Sequence, residues 1–172
     1  MPELFPVLSK EDINRMISAL AKEISADYEG RTLILIGVLK GAFIFLADLI
    51  RKLTIPVEVD FLRVSSYESN TSSSEKIKLT KKIENDVQGK DVLIVEDIID
   101  TGLTIEYLIQ YVKSLNPLSV GVCTLIDKIE RRRRGVKINY TAHTALKGFF
   151  VGYGLDYAEN YRNLPEIYDL KL

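Results

Sequence analysis

The sequence predicts an α/β domain built on a mostly parallel central sheet flanked by helices, and three observations predict it. Short, continuously apolar runs recur at residues 32–36, 92–95 and 119–126, as strands buried on both faces require. Between them lie stretches whose apolar side chains recur at helical spacing, so strand and helix alternate through residues 31–126, the mark of βαβ units. The 172 residues are near the size of one domain and contain no linker or internal repeat, so a single domain over 1–172 is expected.

The elements follow in order. Ser9-Lys10-Glu11-Asp12 is a capping-box-like start, and Ile13, Ile17, Leu20 and Ile24 then form one apolar stripe on a helix that ends near Gly30. The run 32–36 ends at Gly37 as a buried strand, and residues 41–53 read as a helix. Residues 57–64 alternate apolar and polar, as a strand with one wetter face does. Residues 65–76 are Ser-rich and are expected to be a mobile loop, with a short amphipathic strand at 77–83 beyond it. Gly89 makes a turn, 91–96 is a second buried strand, and 104–115 is a helix stopped by Asn116-Pro117. A third buried strand covers 119–126.

Composition excludes several classes. Hydrophobic residues make up 47% and charged residues 27%, the usage of an ordinary globular chain rather than a disordered or disulfide-stapled one. With 23 basic against 24 acidic residues the net charge is -1, so no global field draws the protein to nucleic acid or an anionic membrane, and neither partner is expected. The single cysteine, Cys123, lies in an apolar run and reads as a buried thiol. No apolar stretch suits a signal peptide or a membrane span, and a cytoplasmic location is expected.

In an open parallel sheet ligands bind beyond the carboxyl ends of the strands. The segment from Val92 to Thr104 leaves a buried strand through the carboxylates Glu96, Asp97 and Asp100 and enters a helix at Thr101-Gly102-Leu103-Thr104. Hydroxyls, free backbone N–H groups and the positive end of a helix dipole suit a phosphate dianion, and paired acids suit Mg²⁺ or sugar hydroxyls. A lone Asp-Thr-Gly is an ordinary turn; the combination with two preceding acids implies a sugar phosphate.

This segment resembles the phosphoribosyl pyrophosphate signature of the type I phosphoribosyltransferases, and of the hypoxanthine (hypoxanthine-guanine) phosphoribosyltransferases in particular. Three more segments resemble that family in the right order. Gly37-Val38-Leu39-Lys40-Gly41 is similar to its pyrophosphate loop, with a cis peptide expected between Leu39 and Lys40. Ser66-Tyr67 resembles its catalytic lid, and the stretch from Phe149 to Tyr157, followed by Arg162, resembles its purine-binding end. The resemblance implies the type I fold with a small hood formed by the N- and C-terminal segments and a flexible lid at 65–76. It also implies transfer of a 5-phosphoribosyl group from phosphoribosyl pyrophosphate to N9 of a 6-oxopurine, with Mg²⁺ required and a homodimer or homotetramer as the assembly.

Roles follow from the resemblance residue by residue. Asp100 would face N7 of the purine as proton acceptor, and Lys128 would donate to O6. Glu96 and Asp97 would hold the ribose hydroxyls, partly through Mg²⁺, and Asp156 would take a second Mg²⁺. Thr101, Gly102, Leu103 and Thr104 would wrap the 5'-phosphate, while Leu39, Lys40, Gly41 and Arg162 would meet the pyrophosphate. Phe149 would stack on the base, and the Phe150 backbone and Asp156 carbonyl would read its edge.

The chain departs from its relatives in three places. Leu103 stands where many carry Lys, Ala145-Leu146-Lys147-Gly148 replaces a Pro followed by a polar pair, and the lone His143 replaces an apolar or aromatic residue. His143 reads as packing or surface. The basic run Arg131 to Arg134 reads as a solvated or subunit-interface stretch. Two alternatives remain at this stage: a xanthine-preferring enzyme, and a regulatory or RNA-binding protein on the same fold.

Overall fold

The computed structural model describes residues 2–69 and 72–172. In chain order its elements are β1 (Glu3–Leu8), α1 (Lys10–Asp27), β2 (Leu33–Leu39), α2 (Phe43–Ile50), β3 (Val57–Ser69), β4 (Ser72–Lys81), β5 (Asp91–Ile99), α3 (Leu103–Lys113), β6 (Ser119–Lys128), β7 (Tyr140–Ala145), β8 (Phe150–Val151) and β9 (Ile167–Lys171). The main sheet has the order β4-β3-β2-β5-β6-β7 and is parallel except where β4 returns along β3.

Burial explains the layers. Leu33 to Ile36 on β2 and Val92 to Val95 on β5 are fully buried because α1 and α2 cover one face and α3 the other. Burying each such aliphatic side chain is worth about 1.5–3 kcal/mol, so these central strands anchor the domain. The α1 helix starts as the sequence predicts: Ser9 Oγ accepts the Asp12 N–H and Asp12 Oδ2 accepts the Ser9 N–H, each at 3.1 Å. Cys123 is buried, and that burial pushes its thiol far above the ordinary range.

The strand order places the site. From β2 the chain crosses over α2 to β3 on one side, whereas β5 crosses over α3 to β6 on the other. The direction of winding therefore reverses between β2 and β5, and a crevice opens beyond their carboxyl ends. Leu39-Lys40-Gly41 leaves β2 there, with the peptide between Leu39 and Lys40 cis. The acid-rich end of β5 lies beside it.

Three expectations change. The Ser-rich stretch is no irregular loop: β3 runs on to Ser69 and pairs antiparallel with β4, Ser66 opposite Ile77 and Tyr67 opposite Lys76. Residues 57–81 contain neither Gly nor Pro, and the ladder, whose register shifts at Arg63/Val64 and at Glu68/Ser69, needs only backbone N–H and C=O groups. The part of the lid at 70–71 lies outside the described residues. The α2 helix is shorter than 41–53, because residues 40–42 are spent on the loop that leaves β2. Strands β1, β9 and β8, which the sequence reading left unassigned, form a separate three-stranded antiparallel sheet from both ends of the described chain.

Candidate active site

The end of β5 carries the densest chemistry. Glu96 is buried, and its Oε1 accepts the Asp97 N–H at 3.0 Å; Asp97 Oδ1 accepts the Ile98 N–H at 2.8 Å. Burial pushes both carboxyls above their usual range, and for Glu96 the neighbouring negative charge of Asp97 adds to it. Such a pair gains from a cation, and hard carboxylate oxygens are what Mg²⁺ takes, so the residues fit that ion. Among the described residues no group of three His, Cys, Asp or Glu side chains gathers as metal donors.

A pH prediction arises here. The folded state keeps a proton on Glu96 that the unfolded chain releases near the ordinary value of 4.5, so stability falls as pH climbs from there through the raised folded value. Glu96→Gln is therefore expected to raise the melting temperature of the ligand-free protein at pH 8, with the gain vanishing toward pH 4. Thermal unfolding across that range checks it, and a pH-independent difference between the two proteins would refute it.

Asp97 also explains Gly41. A Cβ on Gly41 would lie 1.7 Å from Asp97 Oδ2, so the loop after β2 packs directly on the β5 acid and admits no side chain there. A Cβ on Gly154 would in turn lie 2.3 Å from the Gly41 carbonyl oxygen, which seats the tail on the same loop. Lys40 Nζ and the Arg162 guanidinium converge on one carboxylate, Glu159, at 2.8 and 3.2 Å. Those cations, Lys40 foremost, hold the Glu159 carboxyl below its usual range. Arg162 also pairs with Asp156 at 3.1 Å, and Asp156 Oδ2 accepts the Glu159 N–H.

Beyond Ile99 the chain turns through Asp100, Thr101 and Gly102 into α3. Gly102 caps the helix with φ +86°, a conformation that glycine adopts without a Cβ penalty, and having no side chain it caps no N–H of α3 itself; Thr101 Oγ1 accepts the Leu103 N–H at 3.4 Å. A cleft of about 270 Å³ opens at this point, with Glu96, Asp97, Asp100, Thr101, Gly102 and Thr104 on its wall. A larger cavity of about 630 Å³ lies between α1, α2 and the tail, but its walls include the Tyr153–Asp48 hydrogen bond and none of the β5 acids. The smaller cleft holds the chemistry.

Lys128 ends β6. Its ammonium is 3.3 Å from Asp100 Oδ2 and donates to the Gly148 carbonyl at 3.1 Å, with the side chain only 12% exposed. Asp100 Oδ1 is buried and has no hydrogen-bond partner among the described residues, so an unpartnered carboxylate oxygen stands close to a cation. Phe149 is half exposed and meets Tyr157 edge to face at 5.7 Å, while Phe150 is buried in β8. His143 sits on β7 in register with Ile126.

Two groups escaped the sequence reading. Glu159 carried no motif signal. The Arg131 to Arg134 run does not form a uniformly solvated face: Arg131 pairs with Asp100 Oδ2 at 3.3 Å, and Arg132, 20% exposed, turns inward onto the Asp100 backbone. The N–H groups of Arg133 and Arg134 both reach the Thr101 carbonyl, at 2.8 and 3.2 Å. The run lies against the Asp100–Gly102 turn, a contact between segments some thirty positions apart that local pattern does not encode.

Comparison with known proteins gives a consistent result. Residues 7–158 match the phosphoribosyl transferase domain. The hypoxanthine-guanine phosphoribosyltransferase of Bacillus subtilis is 42% identical over 165 residues, covering 96% of this chain and 92% of that protein. A bifunctional protein TilS/HprT of Listeria innocua is 44% identical over 165 residues; the match covers 96% of this chain but only 26% of that longer protein. A crystal structure of a hypoxanthine-guanine phosphoribosyltransferase from Bacillus anthracis superposes with a TM-score of 0.92 at 40% identity, over 99% of this chain and 100% of that one.

Proposed function

The chain belongs to the hypoxanthine-guanine phosphoribosyltransferases of the phosphoribosyl transferase family, and on that premise we propose that it is a purine salvage enzyme. It transfers the 5-phosphoribosyl group of phosphoribosyl pyrophosphate to N9 of hypoxanthine, and of guanine, giving IMP or GMP and pyrophosphate. The observation that carries the reading is the Asp100–Lys128 pair, an acceptor with a free buried oxygen beside a donor, set next to a helix N-terminus at the switch point of the sheet.

The site residues take these roles in the proposal. The N–H groups and hydroxyls of Thr101, Gly102, Leu103 and Thr104 receive the 5'-phosphate. Glu96 and Asp97 receive the ribose hydroxyls, partly through a Mg²⁺ that they would hold, and Asp156 on the tail side would hold a second Mg²⁺. Bound Mg²⁺ would neutralise charge on the pyrophosphate. Lys40 and Arg162 exchange Glu159 for the more highly charged pyrophosphate, aided by the Leu39 and Gly41 backbone. As the bond from C1' to the pyrophosphate oxygen breaks and the bond from N9 forms, the purine loses a proton. Asp100 accepts it near N7. Lys128 donates to O6, Phe149 stacks on the ring, and the Phe150 and Asp156 backbones read its edge.

In the same reading the β3–β4 hairpin, with Ser66 and Tyr67, closes over the reacting centre and excludes water that would hydrolyse it. Deleting residues 69–74 is expected to cut turnover sharply while nucleotide binding stays mostly intact; unchanged turnover would deny the hairpin a catalytic role. The proposal also takes the whole chain as one domain with the three-stranded sheet as its hood, a cytoplasmic location, and a homodimer or homotetramer. Among the described residues no helix is long and apolar enough to cross a membrane. The RNA-binding alternative loses ground because Arg132, the inward member of the basic run, is spent on the Asp100 turn.

The test is to mix the protein with phosphoribosyl pyrophosphate, Mg²⁺ and hypoxanthine and to follow both products. Nucleotide and pyrophosphate should appear one to one. Pyrophosphate release that does not depend on the base would overturn the assignment.

A further inference from the structure

Arg132 makes contacts unlike those of its three arginine neighbours. Its Nε donates to the Asp100 carbonyl at 2.9 Å, and its terminal nitrogen NH2 reaches the Ile99 carbonyl at 3.4 Å, the Lys128 carbonyl at 3.2 Å and the Asp127 carboxylate. One guanidinium thus joins the ends of β5 and β6, two neighbouring parallel strands whose register ends at Ile99 opposite Asp127. Its stem packs where a Cβ on Gly102 would stand, 3.2 Å from the Arg132 Cδ. The next two backbone N–H groups, of Arg133 and Arg134, clasp the Thr101 carbonyl.

Consider what this arrangement fixes. Asp100 follows the end of β5 and Lys128 ends β6, and past the last paired residues no ladder hydrogen bond between these strands sets their spacing. Their side chains attract each other, but a salt bridge between two movable side chains does not hold two backbones at a set distance. Arg132 holds the backbone carbonyl of each. We infer that Arg132 is a positioning residue: it sets the separation of the proton acceptor Asp100 and the O6 donor Lys128, and so the fit of a 6-oxopurine between them. The inference rests on the functional reading given above.

The planar fork of arginine is needed for this task. A lysine at 132 keeps the charge and can reach one or two of the four acceptors, but its single ammonium does not span both strand ends. Reacting groups held about 1 Å from their productive positions cost about 10²-fold in rate. The phosphate turn has its own support from the Arg133 and Arg134 N–H groups, so phosphoribosyl pyrophosphate binding should feel the change far less.

The experiment compares wild type, Arg132→Lys and Asp127→Asn, the last removing the charged acceptor of the brace without touching the arginine. Three quantities are read: kcat with hypoxanthine, phosphoribosyl pyrophosphate affinity by calorimetry, and amide hydrogen exchange at residues 99–104 and 127–130. Expected for Arg132→Lys is a fall of about 10²-fold in kcat, affinity within about threefold of wild type, and faster exchange confined to those two segments. Asp127→Asn should move the same quantities in the same direction by less. An Arg132→Lys protein with wild-type kcat, or one whose exchange quickens throughout the domain while affinity collapses, overturns the inference alone. A wild-type protein that makes no nucleotide overturns the functional reading and this inference with it.

Discussion

Replacing Asp100 with Asn should lower kcat with hypoxanthine by at least about 10²-fold while phosphoribosyl pyrophosphate binds about as before. The substitution keeps the size of the side chain and can still accept from Lys128, which stands 3.3 Å from Oδ2. It removes the free carboxylate oxygen, the buried Oδ1, that can take a proton. General acid-base assistance is worth about 10² to 10⁴ in rate, and a group that acts mainly on the transition state loses kcat rather than ground-state binding. The turn itself should survive, because Arg132 Nε holds the Asp100 carbonyl and Gly102 keeps its conformation. Calorimetry for the pyrophosphate substrate and steady-state rates check both halves. If kcat changed by less than a few-fold while binding collapsed, Asp100 would be a turn residue and the proton acceptor would lie elsewhere.

A comparable loss is expected from a much smaller change on the other side of the crevice. Gly41→Ala adds one methyl group, but its Cβ would stand 1.7 Å from Asp97 Oδ2. Real carbon and oxygen atoms do not approach so closely, so the β2 loop or the β5 acid must shift by more than 1 Å. The loop carries Lys40, and the tail carrying Arg162 rests on the Gly41 carbonyl through Gly154. One methyl group therefore displaces the groups assigned to pyrophosphate and the acid assigned to ribose and Mg²⁺. Misplacement on that scale costs about 10²-fold, here in kcat/KM for phosphoribosyl pyrophosphate. Unlike Asp100→Asn, it should weaken binding as well as turnover. Near-wild-type affinity in Gly41→Ala would mean that the loop has slack that the geometry denies.

These two variants also mark what the sequence made legible. The signature around Asp100 is a local string, and a strand running into a phosphate-binding turn leaves its acids and hydroxyls at fixed spacings. The buried strands at 33–39 and 91–99 were legible for the same reason, since burial on both faces leaves an uninterrupted apolar run. The β1, β8 and β9 strands were not: they are five or six residues long or shorter, one contains Pro6, and they are stabilised by pairing between distant ends of the chain. The Ser-rich stretch was read as a loop because it has few apolar side chains, which a backbone ladder between β3 and β4 does not require. Arg132 and Glu159 gave no signal as site residues because the contacts that bring them to Asp100 and Lys40 span 32 and 119 positions, although each also has partners within five residues. Long side chains that reach across the fold leave no periodic trace.

The central claim is that the Asp100–Lys128 pair recognises and activates a 6-oxopurine, and base selection tests it most directly. A buried donor at O6 is satisfied by hypoxanthine and guanine and left unpaired by the 6-amino group of adenine, and sites of that kind discriminate by about 10⁴. The measurement is kcat/KM with phosphoribosyl pyrophosphate and Mg²⁺ for hypoxanthine, guanine, xanthine, adenine and uracil, each followed by chromatography of the nucleotide formed. Efficient conversion of hypoxanthine and guanine, with adenine lower by about 10⁴, is the predicted result. Comparable turnover of adenine and hypoxanthine would contradict it.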